Sequence, residues 1–300
     1  MRILEREGYY NIINGYKEIF LDMPRSAQRG EDYYKDGISF DHVYSLYEFD
    51  RKLRSHLIAY ILRMETNLKT KIAYAFSERF KQNFSYLDIN NYDASDPQKV
   101  TKLIARISSV ITKNSQQQDQ GGQIFHYLDK YKELPLWVLI NKMTMGEAYH
   151  FYDALQKDMQ ENIVSEMIES FEREYGRKVA RTGVDLSSNI SNMVDLAIHY
   201  RNICAHEERL YNTIIKRRNG KIPQIILFHH IPPLPSKSKV YDCILIVGLF
   251  IPKKEYKRLL AGLVTIVEDL EKKLPQNLFN NVLIHMGFSK DWKESLRLDQ

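Results

Sequence analysis

The sequence predicts an all-α protein, and three observations carry the prediction. Apolar residues recur at three- and four-residue spacing through most of the 300-residue chain. Helix-capping residue types stand ahead of several of those runs. β-branched and proline-rich sequence gathers in one stretch near 220–235, which is expected to form a short extended segment or hairpin.

Taken in order, the first pattern is a short N-terminal one around "YYNIINGYKEIF". Between Ser39 and Phe80 the residues Phe40, Val43, Tyr44, Tyr47, Leu53, Leu57, Ile61, Met64, Leu68, Ile72 and Phe76 fall mostly three or four apart, with no Gly or Pro among them. This spacing predicts one long helix, or two in near-continuity, with Ser39 as cap and Asp41 at the positive end of the dipole. Asp96 and Pro97 have the form of an N-cap followed by Pro at the first helical position, and that helix fades near Asn114. The polar run "NSQQQDQGGQ" at 114–123 is expected to be a loop and offers a possible subdivision of a single domain spanning 1–300. Pro135 is placed to start a helix through "PLWVLINKM". Thr144 with Glu147, and Asp158 with Glu161, have capping-box spacing. Leu186, Ile190, Met193, Val194, Ala197 and Ile198 mark another helix, and Lys254–Leu274 a further one. "VYDCILIVGLFI" fits strand or buried helix by period, and its length and the helix that follows favour helix.

Composition narrows the function classes. Hydrophobic residues make up 44% of the chain, enough for a real core, and 43 basic against 38 acidic residues is a mild excess that permits a nucleic-acid partner without arguing for one. Cys204 and Cys243 lie far apart in apolar surroundings, which suggests neither a disulfide framework nor a cysteine metal site and fits a reduced cytoplasm. The first thirty residues do not have the pattern of a signal peptide, and the longest apolar run, "CILIVGLFI", is well short of the roughly 20 residues of a membrane span, so no membrane partner is expected. No phosphate-binding or dinucleotide-binding glycine motif occurs, His229 and His230 have no third or fourth ligand nearby, and neither a cofactor nor a metal is expected.

The chemistry-bearing stretch is "YRNICAHEERLYN", residues 200–212. Arg carries a permanently charged fork suited to phosphate, and His exchanges protons near neutrality. RNA cleavage uses both: a base for the 2′-hydroxyl, an acid for the leaving 5′-oxygen, and a cation for the charge on the phosphorus oxygens. Five residues at about 100° each would put Arg201 and His206 about 140° apart on a straight helix, so they do not form a tight pair on one face. Arg201 continues the row Ile190, Val194, Ala197 and points at a packed surface, where it needs an anionic partner or a solvated cleft. A two-fold dimer in which two such helices share one groove would supply a composite site. A structural Arg paired with Asp195 or Glu207, beside a His favoured by the helix dipole, fits the same residues.

At "RNICAHEERLYN" the sequence resembles the Abi-like (abortive infection, AbiD/AbiF-type) proteins of bacteria, of the HEPN superfamily. "YYNIINGYKEIF", "ISFDHVYSLYEFDRKLR", "PLWVLINKMTMGE" and "HMGFSKDW" resemble further blocks of that family, in the expected order. The resemblance implies a HEPN-like helical bundle with additional N-terminal helices, its motif region at about 124–275. It also implies a metal-independent endoribonuclease acting as a homodimer through the motif helix, in defence against phage. Carried over, Arg201 is the phosphate-binding cation, His206 the general acid or base, and Asn202 the polar residue that orients substrate or motif. Glu207 stands where many relatives have a second His, which puts in doubt any role that needs a second imidazole at that position.

RNA contact is expected from two basic stretches, through Arg51 and Arg54 in the long helix and through Lys216, Arg217, Arg218 and Lys221 after the motif. A small RNA or an antitoxin is a further possible partner. Two other functions fit the same sequence: an RNA-binding protein that holds a structured small RNA without cutting it, and a helical protein-interaction module whose Arg201 is a buried structural ion.

Overall fold

The computed structural model describes residues 2–115, 122–179, 186–216 and 237–299. Its architecture is all-α, as the apolar spacing predicts. Helix α1 (Arg2–Glu7) leads into a π turn at Tyr10–Asn14 and a 3-10 turn at Lys17–Phe20. Helix α2 (Met23–Arg29) follows, capped by Asp22, whose carboxylate accepts from Arg25 N.

Helix α3 (Phe40–Arg79) is one unbroken helix of 40 residues, about 60 Å long at 1.5 Å per residue. Ser39 caps it, with its own N–H donating to Nδ1 of His42 at 3.0 Å. Val43, Leu46, Leu53, Leu57, Ile61, Met64, Leu68, Ile72 and Phe76 form its buried stripe. Four charged residues interrupt that stripe and are buried with it: Asp50, Arg54, Glu65 and Lys69. They are two acid–base pairs at i and i+4, and each closes on itself, at 2.6 Å for Arg54–Asp50 and 2.6 Å for Lys69–Glu65.

Helix α4 (Pro97–Ser115) starts as predicted, with Lys99 N donating to Asp96 Oδ1 at 2.9 Å. The run from Pro135 is shorter than expected. Helix α5 (Gln123–His126) passes into a π turn at Tyr127–Tyr131, and α6 (Leu136–Leu139) passes into a 3-10 turn at Ile140–Lys142. Helix α7 (Met145–Asp153) has the predicted Thr144–Glu147 box. The second box is a correction: α8 (Lys157–Tyr175) begins with Gln156 as its cap, so Asp158 lies within the first turn. Gln160 Nε2 bonds the carbonyls of Tyr152, Asp153 and Leu155, which draws the chain into the helix before Asp158 is reached.

Helix α9 (Leu186–Ala205) carries the Arg-His motif at its C-terminal end. The stretch near 220–235 lies outside the described residues. On either side of it β1 (Ile215–Lys216) and β2 (Lys237–Ser238) pair antiparallel, with Ile215 opposite Ser238. Helices α10 (Val240–Phe250), α11 (Lys253–Glu271), α12 (Gln276–Met286) and α13 (Trp292–Ser295) complete the order. Helix α10 is apolar around most of its circumference, as expected of a helix at the centre of a bundle. The spine α3 packs against α6, α7, α8, α9, α10 and α11, and the buried side chains form one cluster from Ile12 to Leu298. Among the described residues no helix is long and apolar enough to cross a membrane.

Candidate active site

The site is assembled where α9 and the residues after it run along α3. Arg201 meets Glu65, whereas Leu210 and Tyr211 meet Asp50, so the motif travels in the opposite direction to the spine. The two charged pairs on the buried stripe of α3 therefore mark the two ends of the motif.

At the first end, Arg201 Nε lies 3.8 Å from Glu65 Oε2. Both atoms are buried and neither makes a hydrogen bond. The other carboxylate oxygen, Oε1, accepts from Lys69 Nζ, which also donates to the Met143 carbonyl at 2.5 Å. Glu65 is thus held by Lys69 and faces Arg201 with a free oxygen. The Arg201 side chain remains 30% exposed, so charge holds it in place without a hydrogen bond locking it. Its partner is neither Asp195 nor Glu207. Asp195 instead lies 3.9 Å from His199, on the exposed face of α9.

At the second end, Asp50 is fully buried and accepts from four donors. They are Tyr16 Oη at 2.7 Å, Arg54 Nη1 at 2.6 Å, Leu210 N at 3.0 Å and Tyr211 N at 2.7 Å. Burial pushes the Asp50 carboxyl up, and those donors pull against it. Arg209 adds a tie to the N-terminal segment by donating to the Gly15 carbonyl at 2.5 Å. The backbone just past the motif is fixed on both sides.

Between these anchors α9 stops at Ala205. His206 N still donates to Asn202 O at 2.9 Å, Glu207 turns into the left-handed region at φ +56°, and Glu208 N closes the end by donating to Ile203 O at 3.0 Å. This is a Schellman ending, in which the left-handed position is usually Gly. His206 is therefore the last residue before the reversal. Both it and Asn202 are exposed, beside the carbonyl end of the helix. Glu207 is exposed, and its charge acts on Arg54. Within the motif, burial pushes the Cys204 thiol up to about 12, which removes it as a nucleophile.

Of the residues expected to contact RNA, Lys216 is exposed on β1, and Arg51 is half exposed, near Glu7 and Glu48. Arg54 is a correction: it is 5% exposed with its charge committed to Asp50 and is not on the basic surface. Arg217, Arg218 and Lys221 lie outside the described residues, as do His229 and His230. Among the described residues, no group of three or more His, Cys, Asp or Glu is placed to hold a metal ion. The sequence reading missed Glu65, Lys69 and Asp50. Their signal was available: acid and base four apart, on the apolar stripe of a helix.

The model of the Abi-like protein family matches residues 2–212, from α1 through the Asp50-bound backbone of Leu210 and Tyr211. The segment "HMGFSKDW", also read as a resemblance, lies beyond the matched span. No curated protein and no solved structure gives a match. The chain belongs to the Abi-like protein family.

Proposed function

We propose that the chain is a metal-independent endoribonuclease of the HEPN type, acting as a homodimer in abortive infection. The observation that carries this reading is the state of Arg201, a guanidinium steered by a buried carboxylate at 3.8 Å yet left partly in solvent and free of hydrogen bonds. A structural arginine would close its bonds. An arginine waiting for a phosphate keeps donors in reserve. In this mechanism His206, at the exposed helix end, takes the 2′-hydroxyl proton or protonates the leaving 5′-oxygen, while Arg201 stabilises the charge on the phosphorus oxygens. Asn202, exposed one turn ahead of His206, orients the substrate. A second copy facing the same surface supplies the other imidazole, so that one acts as base and one as acid.

The test is cleavage of RNA in the presence of EDTA, with the product ends analysed. Wild-type protein is expected to leave 2′,3′-cyclic phosphate, and His206→Ala to lose about 100-fold or more in rate. Full activity in His206→Ala, or loss of wild-type activity in EDTA, overturns the reading. One observation favours a second reading: Glu65 is a ready anionic partner for Arg201, as an interaction module with a structural arginine would require. In that case Arg201→Ala lowers stability and no RNA is cut.

A further inference from the structure

Four aromatic rings gather on the segment that leads into the Arg201 network. His126, at the end of α5, lies 5.9 Å from the ring of Tyr127 and 5.7 Å from that of Tyr131. Tyr127 packs on Tyr131 at 5.5 Å and meets Trp137 edge-on at 5.5 Å. Tyr131 and Trp137 nevertheless remain 50% and 53% exposed. A loose segment does not explain this, because Leu136, Val138 and Leu139 around the indole are 3%, 1% and 0% exposed. The turn is also tied by Asn141 Nδ2 donating to the Trp137 carbonyl. The backbone is anchored in the core and presents the indole to water.

The rim of this ledge is polar and carries a small cationic excess. Lys130 Nζ lies 5.2 Å from the Tyr131 ring, and Lys132, Asn141 and Lys142 are exposed beside it, against Asp129 and Glu133. Such a rim suits a polyanion with flat, stackable groups better than an apolar protein face. The ledge is also tied to the candidate active site through the core. Helix α6 and the turn after it end at Met143, whose carbonyl accepts from Lys69, and Lys69 holds the Glu65 that faces Arg201.

Building on the nuclease reading, we infer that the Tyr131–Trp137 ledge is a stacking platform for unpaired bases of the RNA whose backbone reaches Arg201. Stacking is tolerant of base identity, so the ledge selects single-stranded over duplex RNA and does not read a sequence.

Tryptophan fluorescence of the His206→Ala protein, which is expected not to consume its ligand, tests this. The other tryptophan, Trp292, is 4% exposed and stacked on Phe288, and gives a constant background. A short oligoadenylate is expected to quench Trp137, and the same strand annealed to oligouridylate is not. In fluorescence anisotropy of a dye-labelled oligoadenylate, which does not depend on Trp137 as reporter, Trp137→Ala and Tyr131→Ala should each weaken binding by about five- to 150-fold, with Trp137→Phe close to wild type. Unchanged melting temperatures verify that the variants fold. Oligoadenylate that fails to bind, or binds with equal affinity to all variants, overturns the inference. So does shielding of Trp137 from iodide that grows with protein concentration in the absence of RNA, which marks a protein interface. Quenching without cleavage by the wild-type protein fails only the nuclease reading. Cleavage with an inert ledge fails only this one.

Discussion

Glu65 and Arg201 face each other at 3.8 Å with both approaching atoms buried and unbonded, while Lys69 holds the far side of the carboxylate. Glu65→Gln keeps the volume and removes the charge, leaving two cations without their counter-ion. The expected loss is about 3 kcal/mol of stability, read from the urea midpoint. Glu65→Leu combined with Lys69→Met is expected to recover part of it, because one of the two cations leaves with the acid and the remaining Arg201 is 30% exposed to solvent. An unchanged midpoint in Glu65→Gln contradicts the neutralising role.

Asp50 is the acceptor for the backbone just past the motif. Asp50→Asn replaces one acceptor oxygen by a donor where four donors converge, and is expected to cost about 3 kcal/mol. The loss should be local first. Hydrogen exchange at the amides of Leu210 and Tyr211 is expected to accelerate more than at those of the α10 core, and equal protection at all of them would deny the clamp.

Glu207 occupies a left-handed position that glycine fills without strain. Glu207→Gly is expected to stabilise the fold by about 1 kcal/mol and to raise the melting temperature by about 2 °C. A fall in melting temperature would show that the charge of Glu207 toward Arg54 outweighs the backbone strain.

Cys204 and Cys243 are 8% and 0% exposed, and burial raises both thiols. Neither should react with iodoacetamide at pH 8 in the folded protein, and both should label in denaturant. Native labelling at Cys204 would mean that the motif helix opens.

Burial, followed by the charge of Lys239, holds the His285 imidazole below the usual histidine range. The folded chain then binds fewer protons at this position than the unfolded chain. The stability from His285 is complete above the ordinary histidine value of about 6.5 and is lost as pH falls through it toward the lower folded value. His150 is shifted the same way, by burial first and Arg106 second. The melting temperature is expected to drop between pH 7.5 and pH 5, and His285→Gln should flatten part of that drop. An identical pH profile in the variant would remove His285 from the account.

The long elements were legible because their period was strong. Helix α3 has neither Gly nor Pro, and its apolar stripe and Ser39 cap carry the information locally. Helix α10 was resolved from a strand by length. The destination of the charges was not legible in the same way. Counting Arg54 into a basic stretch treated it as surface, whereas tertiary packing buries it against an acid one turn away. The ending of α9 was hidden for a different reason. A straight helix through both residues gives an Arg201–His206 angle, but the helix stops at Ala205, and Glu is not a residue type that announces a left-handed turn.

The order of synthesis bears on these contacts. Asp50 and the backbone it binds at Leu210 are 160 positions apart. A ribosome that has released α3 has produced Glu65 and Asp50 well before the Arg201 guanidinium and the Leu210 and Tyr211 amides that they bind. Closing that span is a late, non-local event whose entropic cost is met only when α9 docks along the spine. Until α9 docks, Asp50 lacks the amides of Leu210 and Tyr211 and Glu65 lacks the guanidinium of Arg201, so the geometry of the motif belongs to the assembled fold and not to either helix alone.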